Sequence, residues 1–354
     1  MAHWFLDKKY VYGNFAIILC SIRYFFGIIL GFNTQLITGL VLLLLLYSCL
    51  KQYCGKFFLL LFYFLIVSSI HFTAINFVFM LCFCYIYKDI DISRLSRFFF
   101  KLHLYICIAI IISLFLGFIQ DKVENGHKQI THTLGFSNPN NLGAFMFATL
   151  CSFYVGYIRK FKIIVPCIFF VFSWYIYTMS GSRTAFYGEC IVLLIFLLQW
   201  FFGFRIYRCF KIPISLLPII LFFATIFIAL NALNYSELNT LFSDRFNYIA
   251  IHLSSFSSIN DLILGKEIEY ELLPLDNVYV ALLFFGGIPC LLIFFYLYYK
   301  CVNNLWLKIG DYFPYLIGLT IAGICESLFI GIIPGFLLLW IIIFQSLFID
   351  KYGR

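Results

Sequence analysis

An all-α bundle of about twelve membrane-crossing helices is the fold class this sequence predicts, and three observations predict it. Of the 354 residues, 64% are hydrophobic and 11% charged, against about 45–50% and about 25% in soluble domains. The apolar residues fall in runs near the roughly twenty that a helix needs to cross a ~30 Å hydrocarbon core. The basic residues alternate between the breaks that separate those runs. Disordered chains, which need low hydrophobicity, and small disulfide scaffolds are excluded by the same composition.

The runs lie at 12–31, 33–50, 57–71, 73–87, 98–119, 140–158, 161–178, 184–202, 212–231, 276–298, 312–330 and 332–349. The third and fourth are short, and read as two crossings or as a pair of short or tilted helices around Ser68, Ser69 and His71. The first carries Arg23 and no small-residue cleavage pattern follows it, so it is expected to remain in the mature protein. Of 24 Lys and Arg residues, 18 sit in alternate breaks or at the run ends beside them, with five in the opposite set and Arg23 within a run. Cytoplasmic loops carry such an excess, so both termini are expected in the cytoplasm. The net charge of +8 is then a topology signal and requires no nucleic-acid partner. Residues 1–354 form one membrane domain, with a large outer loop at about 232–275 between the ninth and tenth runs.

Several chemistries are missing. The 13 cysteines lie in the runs or beside their cytoplasmic ends, where they read as small apolar fillers. Cys82 and Cys84 have neither zinc nor redox spacing, and no structural disulfide is expected. No glycine-rich phosphate loop or HExxH pattern occurs, so no cofactor and no metal are expected. Asp89 and Asp91 have the spacing of a metal-nucleotide carboxylate pair, yet among Lys88, Arg94 and Arg97 they read as solvated loop residues.

The polar residues that hydropathy does not explain cluster at the outer side. Asn138, Pro139, Asn140 and Asn141 follow His132 at the head of the sixth run. They read as a helix cap or as donors for sugar hydroxyls and phosphate. Ser182, Arg183 and Thr184 form a turn before the eighth run, where a guanidinium and free N–H groups suit an anion unless Arg183 only reaches for lipid headgroups. From Leu238 to Phe256, apolar residues at helical spacing predict one amphipathic helix, with Arg245 inside its apolar arc, His252 near the edge and Asp244 pointing away. Buried so, Arg245 needs an anion, either an internal carboxylate or a lipid phosphate. Asp276, before Asn277 and Tyr279, reads as an N-cap or as a carboxylate anchoring or deprotonating a sugar hydroxyl. Arg23, Glu189 and Glu326 are charges within runs, each a functional candidate or half of a structural pair.

In order, Gly135–Asn141 (GFSNPNN), SGSRT at 180–184, SDRF at 243–246, LILGK at 262–266, LDNVY at 275–279 and Glu326-Ser327 resemble the O-antigen and capsular polysaccharide polymerase family (Wzy-type), a relative of the O-antigen ligases. The resemblance covers about 130–330. A ligase would carry His-Asn and, nine residues on, Gly-x-x-Gly; here Asp276-Asn277 precedes Gly287-Ile288-Pro289-Cys290, which favours polymerase. The resemblance implies the C-type glycosyltransferase fold in a bacterial plasma (inner) membrane. It implies transfer of a glycan from undecaprenyl diphosphate onto the terminal sugar of another lipid-linked repeat unit, without metal or cofactor. A flippase and a chain-length regulator of the same pathway would be partners. On that reading Arg183 and Arg245 hold the diphosphate and Asp276, backed by His132 or His252, handles the acceptor hydroxyl. His132, Asn138, Asn140, Ser182, Thr184, His252, Asn277, Tyr279, Arg23, Glu189 and Glu326 would line the substrate site. A ligase and a lipid-linked oligosaccharide flippase or transporter are the alternatives.

Overall fold

The computed structural model describes residues 9–29, 34–51, 55–71, 74–125, 130–203, 207, 209–232, 234–242, 244–267, 275–304, 310–326 and 333–347. Among the described residues the chain is all-α apart from one short hairpin. Each of the twelve apolar runs contains a helix: α1 (Val11–Tyr24, continued by a π-helical turn Phe25–Ile29), α2 (Gln35–Leu50), α3 (Gly55–Ile70), α4 (Ile75–Ile86), α5 (Ile92–Phe115), α6 (Pro139–Tyr157), α7 (Ile164–Ser180), α8 (Arg183–Phe202), α9 and α10 (Lys211–Ser215 and Leu217–Leu230), α14 (Val278–Asn304), α15 (Phe313–Ala322) and α16 (Pro334–Gln345). Between α10 and α14 lie α11 (Ser236–Leu241), α12 (Arg245–Ser254) and α13 (Ile259–Leu264). By length and composition α5, α8 and α14 are long and apolar enough to cross a membrane, and most of the other apolar helices have 10–17 residues. Both chain termini lie outside the described residues.

Local chemistry sets the boundaries. Asp91 opens α5 by accepting from Arg94 N–H at 3.2 Å, and Asn138 opens α6 by accepting from Asn141 N–H at 2.8 Å, with Pro139 in the first turn. Gly181, at φ 64°, ends α7 and donates to the Tyr177 carbonyl at 2.8 Å. Small residues then allow close approach: Gly318 of α15 lies on Val192 of α8, and Gly335 of α16 on the Ala148 carbonyl of α6.

Side-chain contacts define two ends of the bundle. At the basic end, Lys9 Nζ meets Asp89 at 2.7 Å, Arg159 Nε meets Asp311 at 3.2 Å, and Gln345 donates to the carbonyls of Tyr87 and Ile90. Asp89 and Asp91 are exposed residues of the loop before α5, as expected, one pairing with Lys9 at the surface and the other capping the helix. The other end carries the 121–141 segment, the α7–α8 turn and α11 to α13. Outward faces are apolar: Leu36, Leu43, Ile111, Phe115, Val171 and Phe223 are among the exposed side chains.

Three features depart from the expected pattern. Strands β1 (Val123–Asn125) and β2 (Ile130–His132) pair antiparallel, with Val123 opposite His132, in a bundle expected to be wholly helical. The single amphipathic helix expected from Leu238 to Phe256 is broken into α11 and α12. There Asp244 sits at φ 60°, its N–H bonded to the Asn239 carbonyl at 2.9 Å and its carboxylate to Asn239 Nδ2 at 2.8 Å, so a local Asn–Asp clasp outcompetes helix continuation. The run at 312–330 is not one helix either, because α15 stops at Ala322 and Gly323 to Glu326 are turn and coil; Ser327 lies outside the described residues.

Candidate functional site

The carbonyls left free where α15 stops organise the best-defined polar cluster. A helix ends with carbonyls that lack intrahelical donors, and here outside groups supply them. Val278 N–H donates to the Gly323 carbonyl at 2.8 Å, Asn277 Nδ2 to that of Ile324 at 2.8 Å, and Arg245 Nη1 to that of Cys325. Tyr279 Oη donates to the Thr320 carbonyl. The negative end of a helix dipole also favours a guanidinium there.

Arg245 Nη2 lies 3.2 Å from Asp276 Oδ2, with the side chains 15% and 30% exposed. Of the two anions considered for Arg245, the internal carboxylate is the one in contact. Its position in the apolar arc of α12 follows the expected phase, because Phe246, Ile249 and His252 are buried on the same helix while Asp244 is exposed. The side chains of Leu238 and Leu241, and Ser243, lie outside the described residues. Asp276 is not the N-cap of α14. Asn277 is: fully buried, it accepts from the N–H groups of Tyr279 and Val280 at 3.0 Å each and donates to Thr225 Oγ1 at 3.4 Å. Asp276 is thereby left to face Arg245.

A second group forms around the hairpin. Asp121 Oδ2 lies 2.6 Å from His132 Nδ1, while Oδ1 accepts from Thr133 N–H at 3.0 Å and Leu134 N–H at 2.8 Å. Partial burial pushes the Asp121 carboxyl up, but the His132 contact and the two backbone donors outweigh it and hold the carboxyl below its ordinary value. An ionised carboxylate only accepts, so the contact assigns a hydrogen to Nδ1 of His132 and leaves Nε2 outside the pair. Sequence reasoning missed Asp121, because an acid eleven residues from a histidine signals nothing until the hairpin register is known.

The third group is the α7–α8 turn. Gly143 of α6 touches the Ser182 side chain, so the head of α6 and the head of α8 share one corner. Ser182 is buried and its Oγ has no partner among the described residues, Arg183 is exposed, and Thr184 is half-buried. Strand β2 packs on α7, which brings the hairpin to the same end. Asn138 and Asn140 are exposed on the first turn of α6, Asn138 in the capping role already considered for it.

Other candidates are elsewhere. Glu189 is buried within the bundle, its Oε1 unpartnered among the described residues, some 9 Å along α8 from Arg183 at 1.5 Å per residue. His252 packs edge-on to Phe284 at 5.6 Å. Arg23 ends α1 beside Tyr24, which stacks on Phe145 at 5.5 Å, nearer the hairpin than the Arg245 cluster. Glu326 follows Cys325 in the turn and is half-buried.

One more feature escaped sequence reasoning. α14 breaks at Gly287 (φ 63°, ψ −174°), two residues before Pro289. Segment 259–266, expected as outer loop, lies against the break: Lys266 N–H donates to the Phe284 carbonyl at 2.6 Å, and Tyr63 Oη lies 2.8 Å from the Gly286 carbonyl and 2.9 Å from that of Ile263. The irregular backbone at the break is satisfied by protein donors. No group of three metal-ligating side chains occurs among the described residues. Comparison with protein-family models, curated proteins and solved structures finds no match to this chain.

Proposed function

We propose that this protein is a polysaccharide polymerase of the bacterial plasma membrane, a twelve-crossing bundle of C-type glycosyltransferase kind. It would transfer a glycan from undecaprenyl diphosphate to the terminal sugar of another lipid-linked repeat unit. The observation that carries the reading is the gathering of the ordered segments at one end. Arg245, Asp276 and Cys325, far apart in sequence, meet there, and the Asp121–His132 pair and Ser182–Arg183 turn occupy that same end. Exposed apolar faces on most helices support membrane placement, and tilt or local thinning accommodates helices shorter than twenty residues.

In this reading the acceptor hydroxyl attacks the anomeric carbon, a glycosidic bond forms, and the carbon–oxygen bond to the diphosphate breaks with its electron pair leaving on the phosphate. Arg183 and Arg245 stabilise the leaving diphosphate. Arg245 has five N–H donors, and Asp276 and the Cys325 carbonyl hold it in place without exhausting them. His132 Nε2 is the better base for the acceptor proton, since Asp276 is engaged with Arg245. The break in α14 favours a transporter as the second reading, because transport sites are often built from discontinuous helices. Here the Phe284 and Gly286 carbonyls at the break already have protein partners.

The test is to incubate purified protein with undecaprenyl diphosphate-linked repeat units, without nucleotide or added metal, and resolve products on a gel. A ladder at repeat-unit spacing that disappears in Arg183→Ala is expected. Unchanged substrate with folded protein would shift the assignment to ligase or flippase.

A further inference from the structure

At the basic end, opposite the candidate site, α7 and α8 enclose an apolar groove of about 610 Å³. Its concavity comes from side-chain size: Pro166, Cys167 and Cys190 are small, while Phe170 and Trp200 form the walls. Along α8 the lining runs from Cys190 to Trp200, about 15 Å at 1.5 Å per residue, or half of a roughly 30 Å hydrocarbon core. That is the depth of one leaflet.

The groove does not end in apolar surface. Phe196 and Trp200 also line a smaller adjoining pocket of about 150 Å³, whose other lining includes Lys162, Gln199 and Asp311. Lys162 lines this mouth, and Lys160, two residues before it, is exposed on the same turn. The pocket's one carboxylate, Asp311, is engaged by Arg159 at 3.2 Å, so the lysines give the mouth a positive surplus. An apolar channel one leaflet deep, opening onto lysines, has the amphipathic profile of a lipid with an anionic headgroup.

We propose that the α7–α8 groove binds an anionic phospholipid of the leaflet on the basic side, an acyl chain lying between Cys190 and Trp200 and the phosphate at Lys160 and Lys162. The inference rests on membrane placement and is independent of the polymerase reading. The test uses purified protein in mild detergent with phosphatidylglycerol or phosphatidylcholine of the same acyl chains, and native mass spectrometry to count retained lipid. Two basic side chains at a headgroup predict about tenfold or greater preference for phosphatidylglycerol. Lys160→Glu with Lys162→Glu should remove the preference, with the unfolding temperature in lipid-free detergent unchanged. Cys167→Phe, which fills the groove, should lower retention of both lipids. Equal retention of the two lipids by the wild type, retention of neither, or an undiminished preference in the double lysine variant would overturn the proposal. Monodisperse protein without detergent would instead sink the membrane placement itself.

Discussion

Replacing Gly287 by alanine tests the docking of segment 259–266 on α14 most sharply. Its φ of 63° and ψ of −174° fall in a region that is essentially glycine-only, and forcing another residue there costs about 1–3 kcal/mol. Sterics add to this. An alanine Cβ would overlap the Ile263 carbonyl oxygen and stand 2.5 Å from its carbon and 2.8 Å from the Leu262 oxygen. These are backbone atoms, so no side-chain rotation relieves the clash and the segment must move away. That movement breaks the Lys266 N–H bond to Phe284 and the Tyr63 contact with Ile263, leaving the Phe284 carbonyl without its donor at about 1–3 kcal/mol, while Tyr63 keeps its bond to Gly286. The expected total is about 2–6 kcal/mol, enough to detach the segment while α14 and its neighbours stay packed. Hydrogen exchange should therefore show loss of protection at Gly265 and Lys266 in Gly287→Ala, with α5 to α8 unchanged. Wild-type protection at those two residues in the variant would refute the docking.

Three other outcomes are expected. Asn277→Ala removes the cap of α14, which accepts from Tyr279 and Val280 N–H, and the Nδ2 bonds donated to the Ile324 carbonyl and the Thr225 hydroxyl; a cap is worth roughly 1 kcal/mol and the orphaned partners add about 1–3 kcal/mol, so the thermal unfolding temperature in detergent should fall clearly, and less so in Asn277→Asp. The depressed Asp121 carboxyl contributes stability that is fully present above the ordinary carboxylate range and is lost as pH falls through its folded value. Proteolysis of the hairpin should accelerate below about pH 4, and Asp121→Asn should abolish that pH dependence. In the gel assay Arg183→Ala and Arg245→Ala should each abolish polymer with protein level intact, and normal chain length in either would remove that arginine from the site.

What the sequence made legible is what local pattern controls. Apolar run length located a helix at all twelve segments, and the helical phase of Phe246, Ile249 and His252 placed Arg245 on the inward face of α12. The Asn138-Pro139 signature located the head of α6. Features that needed a partner from elsewhere in the chain were invisible. Asp276 and Asn277 are both good capping residues, and only the position of the Gly323 to Cys325 carbonyls decides that Asn277 caps and Asp276 meets Arg245. The Asn239–Asp244 clasp costs a helix that hydrophobic periodicity favoured, because periodicity does not register side-chain bonds to backbone. Gly265, Gly286 and Gly287 were visible as glycines, yet their role depends on two backbones meeting 20 residues apart.

The pairing of Arg245 with Asp276 changes how the proposed chemistry is divided. A guanidinium and a carboxylate read separately suggest two roles, phosphate binding and proton abstraction. At 3.2 Å they act as one unit, in which the carboxylate fixes the guanidinium and shares its charge. A base must keep a lone pair free for substrate, and in the proposed reaction that role would fall to His132, whose Nδ1 is held by Asp121 at 2.6 Å. In the proposed reaction the leaving-group arm would then lie with the large loop, on Arg245, and the acceptor arm with the hairpin, on His132, with Arg183 on the turn packed against the head of α6. A polymerase must hold two lipid-linked glycans at once, and two separately built arms suit that demand better than one compact site. Arg245→Lys discriminates here: a lysine keeps the charge toward Asp276 but loses the fork that spans Asp276, the Cys325 carbonyl and a phosphate together. If Arg245 serves only to neutralise Asp276, Arg245→Lys should make full-length polymer. If it also grips the leaving diphosphate, the variant should fold normally and lose most of its elongation.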